Sequence, residues 1–307
     1  MSIQATTLYE EKSFWLRAYG AYEPNPSVEA DLAVDVAVVG GGFTGLSTAR
    51  EFKTDEPGAS VAVLEGDVVG YGASGRNAGF SMKLFGLEPG LTQWRWGRER
   101  TIASQRFMQQ AVAYVKNLIE QHDLPSDYRH TGMFRVGYTP RQLDRLEKTF
   151  ELFNELGVAG DMSFATKEQL QDEFSTDRFL GGLHESEVGI LDPCKHVREL
   201  KRLAEGLGVT VYERTPVHSA VPTPGGVTLE TPGGRVTAQK VVFATNAYSR
   251  SIAGLPKLRS RQVPVWTFIV ITEPLTDAQW ADIGWLNRQS FEDNRQLVHY
   301  FRPTVDG

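Results

Sequence analysis

The sequence predicts an α/β fold in which a parallel-sheet domain carries a second, α+β domain, and three observations predict it. A β-branched apolar run, Val34-Asp35-Val36-Ala37-Val38-Val39, leads straight into Gly40-Gly41-Gly42. A helical pattern follows from Phe43 to about Lys53 and is closed by Pro57-Gly58. A second apolar run, Val61-Ala62-Val63-Leu64, ends at Glu65. Strand, glycine turn, helix and strand within about thirty residues make a βαβ unit. Nearly continuous apolar runs are what strands buried on both faces require.

Composition bounds the rest. Of 307 residues, 41% are hydrophobic and 23% charged, which excludes a disordered chain. Lys and Arg number 32 against 38 Asp and Glu, a net charge of −6. The basic residues form only short clusters such as Lys257, Arg259 and Arg261, so no nucleic-acid partner is expected. One cysteine, Cys194, excludes an intramolecular disulfide framework and a multi-cysteine metal site. The start MSIQATTLYEEKSF lacks a basic, then apolar, leader, and no apolar run is long enough to span a membrane. A cytoplasmic location without a transmembrane segment is the expectation.

Residues 1–33, polar and aromatic with Pro24 and Pro26, read as an N-terminal arm. The βαβ unit comes next, and residues 66–90 are glycine-rich without a period. Residues 92–122 read as one long helix, with Ile102, Phe107, Val112, Val115, Leu118 and Ile119 on one face. Trp94 and Trp96, clustered with Arg95 and Arg98, read as a helix packing face rather than a binding site. Residues 132–138 alternate as a strand, and Pro140 opens a helix stopped by Gly157. Thr166 and Gln169 form a capping box, and Pro193 opens a helix stopped by Gly208. Strands follow at 209–213, 226–230 and 235–243, with Pro-Gly-Gly turns at 224–226 and 232–234. Further strands are expected at Gln262–Thr272 and Leu297–Arg302. The expected division is 34–90 with 185–250 as the first domain and 91–184 with 251–307 as the second. The last five residues, Pro303 to Gly307, carry a turn signal without a returning strand. The second domain is therefore expected to be incomplete, although a frayed terminus reads equally well.

The chemistry concentrates at two places. In Gly40-x-Gly42-x-x-Gly45, Gly40 permits a tight turn, Gly42 lets backbone approach a pyrophosphate, and Gly45 lets helix and strand pack closely. Phe43, Thr44 and Gly45 open the helix whose unpaired N–H groups attract phosphate. Glu65, twenty residues beyond Gly45, is placed to accept ribose hydroxyls. The motif alone does not separate NAD from FAD. There is one such fingerprint, which favours a single dinucleotide with the organic substrate as electron donor. The second place is Gly70-Tyr71-Gly72-Ala73-Ser74-Gly75-Arg76-Asn77-Ala78-Gly79, where small residues can wrap backbone N–H groups around a flat polar ligand.

GGGFTG, the strand-end Glu65 and above all GASGRNAG resemble the D-amino-acid oxidase superfamily of FAD-dependent oxidoreductases, in particular its gamma-glutamylputrescine oxidase-like branch. Ser13-Phe14-Trp15 is similar to that branch's opening. Val209–Val217 resembles the strand leading to an adenine-side contact at Val217. The run Val241 to Tyr248 resembles the segment closing over FAD, with Ala244, Thr245 and Asn246 at the cofactor. Pro264–Leu275 resembles a strand lining the substrate domain. The resemblance implies a Rossmann-type FAD-binding domain with an α+β substrate domain. FAD held non-covalently is implied, because Cys194 sits at a helix start unlike the cysteine that some relatives use. Ser74, Gly75, Arg76, Asn77, Ala78 and Gly79 would line the cofactor. Members of the superfamily continue beyond Gly307, in keeping with an incomplete second domain.

The implied reaction is oxidation of a C–N bond of an amine or amino acid, with oxygen or another acceptor taking the electrons. Arg76 is the candidate for favouring the anionic reduced ring. Tyr300 is the other catalytic candidate; it also reads as an ordinary sheet tyrosine, with His299 on the opposite face. Histidines 122, 130, 184, 196, 218 and 299 show no metal-ligand spacing, so no metal is expected. Rival readings are an enzyme of the D-amino-acid dehydrogenase type, a flavin-binding assembly protein without turnover, and an NAD-dependent dehydrogenase. GASGRNAG opposes the last.

Overall fold

A computed structural model describes residues 13–255, 261–265, 267–295 and 297–307. The chain divides into two compact units, residues 1–78 with 192–269 and residues 79–191 with 270–307. In chain order the first unit opens with α1 (Phe14–Tyr19), β1 (Leu32–Val39), α2 (Phe43–Asp55) and β2 (Val61–Leu64). The second supplies β3 (Phe80–Ser81), α3 (Pro89–Trp96), α4 (Arg98–His122), β4 (Met133–Gly137), α5 (Pro140–Leu156), β5 (Met162–Thr166), α6 (Lys167–Glu173), β6 (Gly181–Glu185) and β7 (Gly189–Ile190). The chain returns to the first with α7 (Pro193–Gly206), β8 (Thr210–Tyr212), β9 (Ser219–Thr223), β10 (Gly226–Thr231) and β11 (Gly234–Phe243). It ends in the second with α8 (Asp277–Ile283), β12 (Ser290–Asp293) and β13 (Tyr300–Phe301).

The first unit is built on a six-stranded sheet of order β8-β2-β1-β11-β10-β9. Its first four strands are mutually parallel, and β11, β10 and β9 form an antiparallel meander. All of β2 and Val36–Val39 of β1 are buried, which explains their unbroken apolar character. Val39 pairs with Leu64 on one side and Phe243 on the other, so three strands end level. Crossover connections in such a sheet bring helix N-termini to that edge. Leu229, Val236 and Ala238 lie with Ala37, Val39 and Leu64 in one apolar cluster.

The second unit holds a five-stranded sheet of order β13-β12-β4-β6-β5 and the small pair β3-β7. One apolar cluster, Phe134, Val136, Phe174 and Phe179, gathers with Phe291. Another, Leu146, Phe153, Leu156, Met162 and Leu183, forms where α5 packs. Capping boxes start α5 (Thr139 with Gln142) and α6 (Thr166 with Gln169). Cys194 is buried in the first turn of α7, with burial pushing its thiol up to about 11.

Four expectations are corrected. The helix read over 92–122 is broken at Gly97, whose φ of +82° and extended ψ end α3 and start α4 afresh. The apolar positions that set the period, Ile102 to Ile119, all lie beyond the break and do not report it. Described residues of 262–272 form no strand: Val263, Phe268 and Val270 are 86–92% exposed and without a paired neighbour. Trp266 in that stretch, and Lys257 and Arg259, lie outside the described residues. The strand read over 297–302 shrinks to the two residues of β13, since only Tyr300 and Phe301 pair with β12. Trp94 is not a packing residue but 81% exposed. Among the described residues no helix is long and apolar enough to cross a membrane.

Candidate functional site

A crevice of about 380 Å³ opens where β1, β2 and β11 end, lined entirely by residues of the first unit. Main-chain bonds fix its floor. Gly40 N–H donates to the Leu64 carbonyl at 2.8 Å, and Ala244 N–H to the Val39 carbonyl at 2.8 Å. Gly40 has φ +109°, and a Cβ there would lie 2.7 Å from the Ala244 carbonyl oxygen, so only glycine lets the three strand ends meet. A Cβ on Gly45 would overlap the Gly40 carbonyl oxygen, so α2 rests directly on the turn that precedes it.

The first turn of α2 has no cap from its own Gly42. The hydroxyl of Ser74, thirty-one residues away in sequence, accepts the Phe43 N–H at 2.9 Å instead. A Cβ on Gly42 would come within 2.8 Å of that hydroxyl oxygen. The bare backbone at Gly42 thus makes room for Ser74. The remaining N–H groups of the turn, with the partial positive charge of the helix end, offer donors to an anion.

Glu65, at the end of β2, accepts the Gly41 N–H at 2.6 Å and the Asp67 N–H at 3.0 Å. Enclosure raises its carboxyl to about 7, the two N–H donors pull it down, and the charges of Asp67 and Glu213 add to the rise. Behind it, fully buried Glu213 accepts the Val69 N–H at 2.6 Å, the Lys201 ammonium at 3.0 Å and the Tyr22 hydroxyl. Burial, with Glu213 close by, drives the Tyr22 phenol well above its usual range.

The structure brings Gly40, Gly42, Thr44, Glu65, Ser74, Val217, Ala244, Thr245 and Asn246 to the crevice wall. Asn246 takes a positive φ of 42°, a conformation asparagine tolerates, at the start of the turn Asn246–Ser251. The other nominated residues are not part of the wall. Phe43 puts its ring 5.6 Å from that of His196. Gly75 cannot carry a Cβ because the Gly70 carbonyl occupies its place. Asn77 donates through Nδ2 to the carbonyls of Ala73 and Ser74 at 3.1 and 3.0 Å, binding the loop to itself. Arg76 lies 4.4 Å above the Tyr71 ring. Its buried Nε and Nη2 have no hydrogen-bond partner among the described residues. Half-buried Ala78 closes the first unit, and Gly79 opens the second, accepting the Leu191 N–H at 2.8 Å.

Tyr300 belongs to the second unit, in β13, 41% exposed and 5.4 Å edge-on from the Phe80 ring. Its neighbour His299 turns to Asp293, Nδ1 to Oδ2 at 2.9 Å. The crevice wall also holds Gly41, Tyr71 and Tyr248, which lie inside the singled-out segments without having been nominated one by one, and Asp67, which sequence reasoning missed. Asp67 stands two residues beyond Glu65 and would follow from tracing the turn. Among the described residues no group of three or more His, Cys, Asp or Glu side chains is placed to hold a metal.

Comparison with known proteins places these features in context. Residues 35–307 match the family model described as FAD dependent oxidoreductase, DAO. The chain is 33% identical over 280 residues to the probable oxidoreductase OrdL of Haemophilus influenzae, covering 89% of this chain and 63% of that protein. It is 29% identical over 294 residues to the gamma-glutamylputrescine oxidoreductase of Escherichia coli, covering 96% of this chain and 67% of that one. It thus spans about two thirds of the length of these curated relatives. Among solved structures, L-proline dehydrogenase from P. horikoshii superposes with a TM-score of 0.66 at 19% identity, over 93% of this chain and 69% of that one. Glycine oxidase from Geobacillus kaustophilus does so with 0.59 at 22%, over 72% and 57%. At these identities the structures speak for a shared fold.

Proposed function

The chain belongs to the DAO family of FAD-dependent oxidoreductases, and from that premise we propose that it oxidises a carbon–nitrogen bond of an amine or amino acid. The observation that carries the cofactor half of this reading is the crevice itself. It joins a helix N-terminus without side chains at Gly41 and Gly42, an enclosed carboxylate at Glu65, and apolar walls at Leu64, Val217 and Ile252. That donor and acceptor set fits the pyrophosphate, ribose and adenine of FAD in turn.

In this reading Thr44 and Gly45 present N–H groups to the pyrophosphate, and Glu65 accepts from ribose hydroxyls. Val217 covers the adenine side, and the turn from Ala244 to Asn246 closes the far wall. Arg76 supplies a fixed positive charge from the loop, held on the face of Tyr71. No covalent tether is proposed, because Cys194 is buried against Trp15 and Leu16 with its thiol held protonated. Bound FAD supplies a two-electron acceptor, against which an amine is oxidised to an imine that water hydrolyses to a carbonyl compound. The protein's part is to exclude water, hold the neutral amine and aim its α-carbon.

The amine half rests on likeness to the gamma-glutamylputrescine oxidoreductase. We therefore put a gamma-glutamyl polyamine first among substrates, oxygen as acceptor, and Tyr300 as the substrate-side residue to vary. The test is an anaerobic titration of the flavin-loaded protein. Bleaching of the visible flavin bands by gamma-glutamylputrescine, and peroxide formation on readmitting air, are expected. Bleaching by an unrelated amino acid alone would replace the substrate. Reoxidation only by an artificial acceptor would make the protein a dehydrogenase, and no bleaching by any amine would overturn the activity.

A further inference from the structure

We propose that the N-terminal arm is a working part of the cofactor site, with Ser13 and Trp15 as positioning residues that hold the loop 73–77 by its carbonyl groups. Ser13 Oγ donates to the Gly75 carbonyl at 2.7 Å, and the Trp15 indole N–H to the Asn77 carbonyl at 2.8 Å. Asn77 Nδ2 holds the carbonyls of Ala73 and Ser74. Four carbonyls of a five-residue segment are therefore engaged by side chains, two of them from the arm. Because each peptide is planar, fixing its C=O also fixes the N–H that follows.

The arm can act as a brace because its own ends are anchored elsewhere. Trp15 and Leu16 are buried beside Cys194 at the start of α7. Further along, the Asn25 N–H donates to Glu213 at 2.8 Å, and its Nδ2 to the Val211 carbonyl at 2.8 Å. The Val28 N–H reaches Thr215 Oγ1 at 3.1 Å. The arm thus runs along α7 and β8, tying a glycine-rich loop to the rigid scaffold.

A segment with glycines at 70, 72 and 75 loses much conformational freedom when ordered around a ligand. Bonds from the arm remove that freedom in advance, so that ordering does not weaken binding. They also keep Ser74 on the Phe43 N–H and Arg76 on Tyr71. The inference uses the FAD half of the proposed function and is independent of the amine: a chain that binds FAD but oxidises no amine leaves it intact.

The test compares Ser13→Ala and Trp15→Phe with Asn25→Ala, which loosens the same arm without touching the loop. Apoprotein of the whole chain is titrated with FAD, the visible circular dichroism of the bound flavin is recorded, and thermal midpoints are measured. Ser13→Ala and Trp15→Phe should each raise the FAD dissociation constant roughly three- to tenfold, as expected for a lost hydrogen bond. They should also alter the flavin dichroism. Asn25→Ala should lower the thermal midpoint while leaving the constant within twofold and the dichroism unchanged. Should Trp15→Phe fail to fold, Ser13→Ala, which removes a single hydroxyl, decides. Wild-type affinity and dichroism in the folded loop-side variants would overturn the proposal. So would an equal loss of affinity in Asn25→Ala, since the arm would then act only through general stability.

Discussion

The carboxylate of Glu65 accepts the Gly41 N–H at 2.6 Å, so a side chain joins the end of β2 to the turn that follows β1. The same carboxylate takes the Asp67 N–H at 3.0 Å, which leaves it enclosed and oriented before any ligand arrives. A Cβ on Gly41 would stand 3.1 Å from its Oε2. The glycine triplet therefore serves this carboxylate as much as the helix behind it.

If Glu65 holds the ribose as proposed, FAD binding should depend on pH. The Glu65 carboxyl titrates at about 7, raised from the ordinary 4.5 mainly by enclosure. In the proposed site ribose hydroxyls would donate to the ionised form, so the FAD dissociation constant should fall by up to about tenfold per pH unit as pH rises from roughly 5.5 to 7 and then level off. Glu65→Gln should flatten that profile. Fluorescence titration across pH checks both, and a slope unchanged in Glu65→Gln would remove Glu65 from the ribose.

The apoprotein should respond in the opposite sense. A carboxyl whose folded value is raised contributes stability that is fully present below about pH 4.5 and is lost as pH rises through 7. The loss is at most about 3 kcal/mol, and less to the extent that water enters the crevice. Denaturant unfolding of apoprotein from pH 5 to 8 should show this decline, smaller in Glu65→Gln.

Gly42→Val should abolish FAD binding and displace Ser74. A Cβ at 42 meets the Ser74 hydroxyl oxygen at 2.8 Å, and a branched side chain would also fill the approach to the turn. Overpacking of this kind costs about 1–3 kcal/mol. The variant should purify without flavin colour, and wild-type flavin content would contradict the site.

Lys201→Met should destabilise the first unit by about 3–5 kcal/mol, the cost of leaving a buried charge without its partner. The ammonium lies 3.0 Å from the fully buried Glu213 and also donates to Asn25 Oδ1 at 2.7 Å. Guanidinium unfolding is the measurement. The double change Lys201→Met with Glu213→Gln should recover part of the loss.

Arg76→Met should retain most FAD affinity, because Arg76 is not part of the crevice wall. It should slow anaerobic flavin reduction by amine at least tenfold, about 1.4 kcal/mol in the barrier, and lower the flavin potential. Stopped-flow reduction and a redox titration read these separately. Wild-type values in both would make the cation on Tyr71 a structural feature.

Much of the first unit was legible, and the reason lies in burial. Val36–Val39 and Val61–Leu64 are apolar without alternation because those parts of β1 and β2 are buried, and glycine-containing turns separate each signal from the helix between. Other parts were not legible for equally physical reasons. β5, β6 and β12 are strands because of the partners they find on β4 and on one another, and their short sequences do not announce it. Conversely, the stretch 262–272 has strand composition, but its described residues find no partner, and composition alone cannot supply one.

The sequence by itself determined that a glycine turn would sit between a buried strand and a helix with an acidic residue closing the next strand. These are local demands: a conformation that excludes a Cβ, a periodicity, a strand end. Tertiary structure alone decided that Ser74 caps α2, that Ser13 and Trp15 grip the loop carbonyls, and that Lys201, Tyr22 and Val69 converge on Glu213. Each of these contacts joins residues separated by a dozen to nearly two hundred positions. Hydrogen bonds act over about 3 Å, so their partners are set by where the folded sheet and helices bring the chain together and leave no trace in the spacing of the residues.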